Sequence, residues 1–63
     1  MENRIRELRK EKGMKQDELA KKAGVARTVI SQLENGSRQV ITTDTMLKLS
    51  KGLDAPIESI FMI

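Results

Sequence analysis

The tight corner Ala23-Gly24-Val25 constrains this chain more than any other feature. Before it, residues 16–23 place Leu19, Ala20 and Ala23 on one face of a helix. After it, residues 27–34 place Ile30 and Leu33 on one face, flanked by Val29. Gly24 reaches positive φ without steric cost, so the chain can turn sharply there while Val25 plugs the corner. Asp17 and Glu18 fall in the first turn of the first helix, where the positive end of the helix dipole favours carboxylates. The two alanines are small enough to admit the next helix closely, and Asn35-Gly36 ends the second helix. The chain is therefore expected to contain two short helices locked at an angle.

The remaining segments read as support for that pair. A helix is predicted from Arg4 to Lys12, with Asn3 as N-cap, Gly13 as stop, and Ile5, Leu8 and Met14 along its apolar stripe. Glu2 and Arg6 are spaced to pair one turn apart. Residues 37–43 form a loop that Val40 and Ile41 anchor to the core. A fourth helix starts near Thr42 to Asp44 and runs to Lys51, burying Met46, Leu49 and Leu47, and Leu53 carries the apolar face past Gly52. Asp54-Ala55-Pro56 makes a turn, Pro56 opens a last short helix, and Ile57, Ile60 and Phe61 close the core. No repeat or linker divides the chain. The fold class expected is all-α, a compact bundle of roughly five short helices forming a single domain over residues 1–63.

Composition narrows what such a bundle can do. A chain of 63 residues buries only ~60% of the surface it exposes when unfolded, so a separate catalytic domain has no room. Cysteine and histidine are absent, which removes disulfides, thiolate metal sites, the commonest metal ligand and the usual general base. No nucleophile–base pair or acidic metal spacing stands out, so neither an enzyme, a cofactor nor a small-molecule ligand is expected. Twelve Lys and Arg against nine Asp and Glu give a formal charge of +3 and a pI near 9.6, which favours a polyanionic partner. No apolar run approaches the ~18 residues that span a membrane, and no secretory leader is visible. Ile5 and Leu8 alone make too small a face for a membrane-surface helix. A cytoplasmic location is expected. Phe61, the single aromatic residue, argues against single-strand binding by base stacking.

The outer face of the helix after the corner carries Arg27, Thr28, Ser31 and Gln32. An arginine can donate two hydrogen bonds to guanine O6 and N7, and a glutamine can pair with adenine N6 and N7. Thr28 offers a methyl for thymine or a hydroxyl for either partner, and Ser31 reaches a base or a phosphate. Residues 16–34 thus have the layout of a helix-turn-helix, whose second helix presents such side chains to a major groove. Around it stand candidate phosphate contacts: Gln16 at a helix N-terminus, Lys10 and Lys15 beside it, and the donor-rich loop with Asn35, Ser37 and Arg38. Lys21, Lys22, Lys48 and Lys51 read as solvated charges, and Leu19, Ala20, Val25, Ile30 and Leu33 as core.

Taken together, Gln16-Asp17-Glu18-Leu19-Ala20, Gly24-Val25, Ile30-Ser31 and Glu34-Asn35-Gly36 resemble the lambda and 434 repressor and Cro family, also called the Xre family. Leu47-Lys48-Leu49 and residues 57–61 resemble its last two helices, so the likeness covers essentially the whole chain. It implies a lambda-repressor-like fold and dimeric transcription factors on pseudo-palindromic operators. It places Gln16, Arg27, Thr28 and Gln32 at base or phosphate positions, residues 35–38 near the backbone, and Arg9 with Glu34 in a partly buried ion pair. Three departures stand out: Lys15 and Ala26 replace the usual Ser or Thr caps, the 37–43 loop is one residue longer, and it lacks the customary proline.

The apolar end Ile60-Phe61-Met62-Ile63 has more hydrophobic surface than the core can absorb. Ile60, Met62 and Ile63 are accordingly expected at a dimer interface. The expected function is sequence-specific binding of double-stranded operator DNA by a homodimer, with repression favoured because no activation surface is evident. The alternative is a protein-interaction module, such as an antitoxin-type partner, that keeps the fold without depending on DNA.

Overall fold

Helix capping fixes where each element begins and ends in the computed structural model, which describes residues 3–37 and 40–61. The order is α1 (Ile5–Glu11), α2 (Gln16–Ala23), α3 (Arg27–Glu34), α4 (Thr43–Leu53) and α5 (Ile57–Phe61), with no strand among the described residues. Among the described residues the fold is all-α, with five helices, and α2 and α3 form the helix-turn-helix. Helices α1 to α4 close with the same device, a backbone N–H donating to the carbonyl five residues back. The pairs are Met14 to Arg9 at 3.0 Å, Val25 to Ala20 at 3.1 Å, Ser37 to Gln32 at 3.0 Å and Ala55 to Ser50 at 3.1 Å. This closure needs a left-handed residue just before the donor. Gly24 supplies it at φ +73°, but at the end of α4 the residue is Asp54, at φ +52°.

The N-termini are held unevenly. Thr42 caps α4, its hydroxyl oxygen accepting from the Thr45 N–H at 3.2 Å. Neither Lys15 nor Ala26 caps its helix through its side chain. Glu18 compensates at α2 by accepting from the Lys15 N–H at 3.3 Å. At α1 the N-cap position belongs to Arg4 rather than to the expected Asn3. Asn3 still serves the helix, since its Oδ1 accepts from the Ile5 N–H at 3.1 Å. Its Nδ2 donates to the Leu33 carbonyl at 2.9 Å, and the Arg4 N–H donates to the Ile60 carbonyl at 2.7 Å. Asn3 and Arg4 thereby fasten the entry to α1 onto the ends of α3 and α5.

The core joins Ile5, Leu8, Met14, Leu19, Ala23, Ile30, Leu33, Leu49, Leu53, Ile60 and Phe61. Helix α4 continues two residues beyond the expected Lys51 because Gly52 is buried against Ala23 instead of ending the helix. A Cβ on Gly52 would lie 2.8 Å from the Ala23 Cβ and 3.1 Å from its backbone N and Cα. Ala23 thus offers its close approach to α4. Three apolar residues also depart from expectation. Val40 does not anchor its loop but is 75% exposed, and Leu47 is 51% exposed on α4. Ile41 and Met46 are the neighbours that pack onto the core in their place.

Candidate nucleic-acid interface

Helix α3 is two-sided. Ile30 and Leu33 are buried, which forces the intervening positions outward. Arg27 and Thr28 are exposed there, Ser31 and Gln32 half-buried, and the four line a shallow recess of about 220 Å³. The spacing of 27 with 31 and 28 with 32 puts these side chains on one strip of the helix. The structure therefore brings together all four residues expected to reach bases. Arg27 is not isolated: its Nε lies 3.0 Å from Oδ1 of Asp17 in the first turn of α2. Both side chains are largely exposed, so the pair adds little to stability.

Behind this strip sits a hub on Glu34. Its side chain is 1% exposed. Arg9 donates to it through Nε at 2.8 Å and Nη2 at 3.1 Å, and through Nη1 to the Met14 carbonyl at 2.8 Å. Arg6 donates to Glu34 through Nε at 3.3 Å, and Gln16 through Nε2 at 3.2 Å. Burial alone pushes the Glu34 carboxyl up, but the hydrogen bonds from Arg9, Gln16 and Arg6 outweigh it and hold the group below its ordinary value. The hydrogen bond to Glu34 raises Arg9 in turn, against its own burial. One carboxylate thus fixes the mutual positions of α1, α2 and α3 through donors that satisfy it. Arg6, expected to pair with Glu2, reaches across to α3 instead, and Glu2 lies outside the described residues.

The expected phosphate contacts surround the strip unequally. Lys10 and Lys15 are exposed. Gln16 stands at the N-terminus of α2, half-buried, with one amide N–H given to Glu34. Asn35 and Ser37 are exposed in the turn after α3, where the Asn35 Oδ1 accepts from the Ser37 N–H at 2.9 Å. Arg38 lies outside the described residues. At the other end of the molecule one expectation fails: Ile60 is 0% exposed inside the protomer's own core, so its side chain has no surface to offer a partner. Met62 and Ile63 lie outside the described residues. Sequence reasoning missed the Asp17–Arg27 and Gln16–Glu34 contacts, because each joins two helices. For Asp17–Arg27 the available signal was the corner itself, which sets the first turns of α2 and α3 side by side; Glu34 lies at the far end of α3, and no such signal marked its contact with Gln16.

Known proteins share this geometry. The chain matches the helix-turn-helix family over residues 5–60. An HTH-type transcriptional regulator of Archaeoglobus fulgidus, itself uncharacterized, is 42% identical over 62 residues, 98% of this chain and 87% of the relative. SinR, an HTH-type transcriptional regulator of Bacillus subtilis, is 37% identical over 57 residues that cover 90% of this chain but 51% of SinR. Among solved structures, the restriction-modification controller protein C.AhdI of Aeromonas hydrophila gives a TM-score of 0.81 at 38% identity, over 89% of this chain and 83% of the controller. The N-terminal DNA-binding domain of SinR gives 0.81 at 38% identity, over 87% and 80%.

Proposed function

The chain belongs to the Cro/C1-type helix-turn-helix family of DNA-binding transcriptional regulators, which are not enzymes, and on that premise we propose a sequence-specific repressor that binds a pseudo-palindromic operator as a homodimer. The observation that carries this reading is the two-sided α3, with Arg27, Thr28, Ser31 and Gln32 gathered on the side away from the core. On this reading α3 enters the major groove and those four residues read bases. Gln16, Lys15, Lys10, Asn35, Ser37 and Arg38 hold phosphates on either side. Residues 1–63 act as one DNA-binding unit. The dimer follows from the operator geometry of helix-turn-helix readers, with half-sites about 34 Å apart, and uses the apolar C-terminal end at Met62 and Ile63. Repression needs only occupancy of the DNA. The protein works in the cytoplasm, and among the described residues no helix is long and apolar enough to cross a membrane.

Selection of bound duplexes from a random pool tests the reading. The expected product is an inverted repeat with one helical turn between half-site centres. Absence of any enriched sequence would end the proposal and favour a protein-binding module. Arg27→Ala should relax the preference at one base pair of each half-site, whereas Arg38→Ala should weaken all sequences alike. An unchanged selected sequence with Arg27→Ala would show that α3 is docked in another register.

A further inference from the structure

The two acidic residues in the first turn of α2 have separate tasks. Glu18 reaches back to the N-cap, accepting from the Lys15 N–H. Asp17 reaches outward to the Arg27 Nε at 3.0 Å, with its side chain 74% exposed. A carboxylate in that place is unfavourable for a surface meant to approach phosphates, since every duplex repels it. Its cost falls on all sequences equally. The helix dipole offsets part of that cost through α2 itself, and the contact with Arg27 offers a second benefit, one that acts on DNA reading.

We infer that Asp17 is a specificity-determining positioning residue, a role that rests on α3 being the helix that reads DNA. An arginine side chain carries much rotamer freedom, and unrestrained it can serve a phosphate as readily as a base. An ion pair through Nε holds the stem, and it leaves the terminal Nη1–Nη2 edge as the fork for guanine O6 and N7. Less freedom is then lost when the base contact forms. The same carboxylate disfavours the alternative in which Arg27 swings to the backbone, because a phosphate there meets a negative neighbour. Asp17 therefore lowers affinity for DNA in general and raises discrimination at the base pair Arg27 reads.

Binding titrations with the wild-type protein, Asp17→Asn, Asp17→Ala, Arg27→Ala and the Asp17→Ala/Arg27→Ala double variant test this. The probes are the selected duplex, the same duplex with the guanine opposite Arg27 replaced by 7-deazaguanine or adenine, and a scrambled duplex. Thermal melts accompany each variant, and Glu18 keeps the N-cap of α2 served when Asp17 is changed. Loss of Asp17 is expected to cut guanine discrimination by about two- to fivefold, in keeping with an exposed ion pair, while scrambled-duplex binding tightens. In the Arg27→Ala background, removing Asp17 should tighten scrambled binding but leave discrimination unchanged. Wild-type discrimination in Asp17→Asn, or an equal loss with and without Arg27, overturns the inference and leaves the DNA-reading role intact. If the wild-type protein selects no sequence at all, both readings fall together.

Discussion

Glu34 shows how much depends on one buried carboxylate. With its side chain 1% exposed and donors arriving from Arg9, Arg6 and Gln16, its charge is tolerable only while those partners stay in place. Arg9→Met keeps the aliphatic stem but removes the charge and the bond to the Met14 carbonyl, and should cost about 3 kcal/mol in urea denaturation. Glu34→Gln keeps the shape, so the loss should be smaller. The sign of the pH effect follows from the lowered carboxyl: the folded state binds its proton less readily than the unfolded chain. That stabilisation is fully present above about pH 4.5 and is lost as pH falls through the lower folded value. Glu34→Gln should remove this acid sensitivity; if its stability still falls on acidification as steeply as the wild type's, Glu34 is not the linked group. The pairing of Arg9 with Glu34 was legible through the family likeness. The reach of Arg6 and Gln16 to the same oxygen was not, because nothing local in the sequence brings three helices to one point.

Helices α2 and α3 were legible to the residue, since acidic first-turn residues, Gly24 and Asn35-Gly36 mark their ends chemically. Helix α4 was not. Gly52 reads as a terminator, yet its task is to let α2 approach, and that task depends on a partner far away in sequence. Gly52→Ala should therefore destabilise the protein even though alanine is the better helix former. The propensity gain is about 1 kcal/mol, whereas forcing a Cβ to 2.8 Å from Ala23 costs about 1–3 kcal/mol. A net loss of up to about 2 kcal/mol is expected. Adding Ala23→Gly should restore only part of it, because the backbone N and Cα of residue 23 stay 3.1 Å from the new atom. A Gly52→Ala protein as stable as the wild type would show that the helices part cheaply. At the end of the same helix, Asp54 occupies a left-handed conformation and puts its carboxylate at the negative end of the dipole. Both effects oppose it, so Asp54→Gly should stabilise by about 1 kcal/mol, read as a higher urea midpoint at unchanged slope. No gain would mean that Asp54 is held by a contact worth as much as the strain.

At the scale of the whole molecule, a formal charge of only +3 gives one protomer little attraction for a duplex. The proposed dimer doubles that attraction, and salt dependence measures it. If Lys10, Lys15 and Arg38 each neutralise one phosphate, a single protomer releases about three counterions and loses roughly 40-fold in affinity between 50 and 200 mM salt. A dimer engaging both half-sites doubles the exponent and loses roughly 1,800-fold over the same interval. The contrast does not depend on knowing the interface, from which the burial of Ile60 removes one of the three residues the sequence suggested. Titrating the full operator and an isolated half-site side by side should give slopes differing about twofold. Equal slopes on the two duplexes would mean that one protomer binds alone, and the inverted repeat would then have to be explained without a dimer. With the slopes distinct, Lys10→Ala should reduce the operator slope by about two and the half-site slope by about one, because each duplex counts the lysine once per bound protomer.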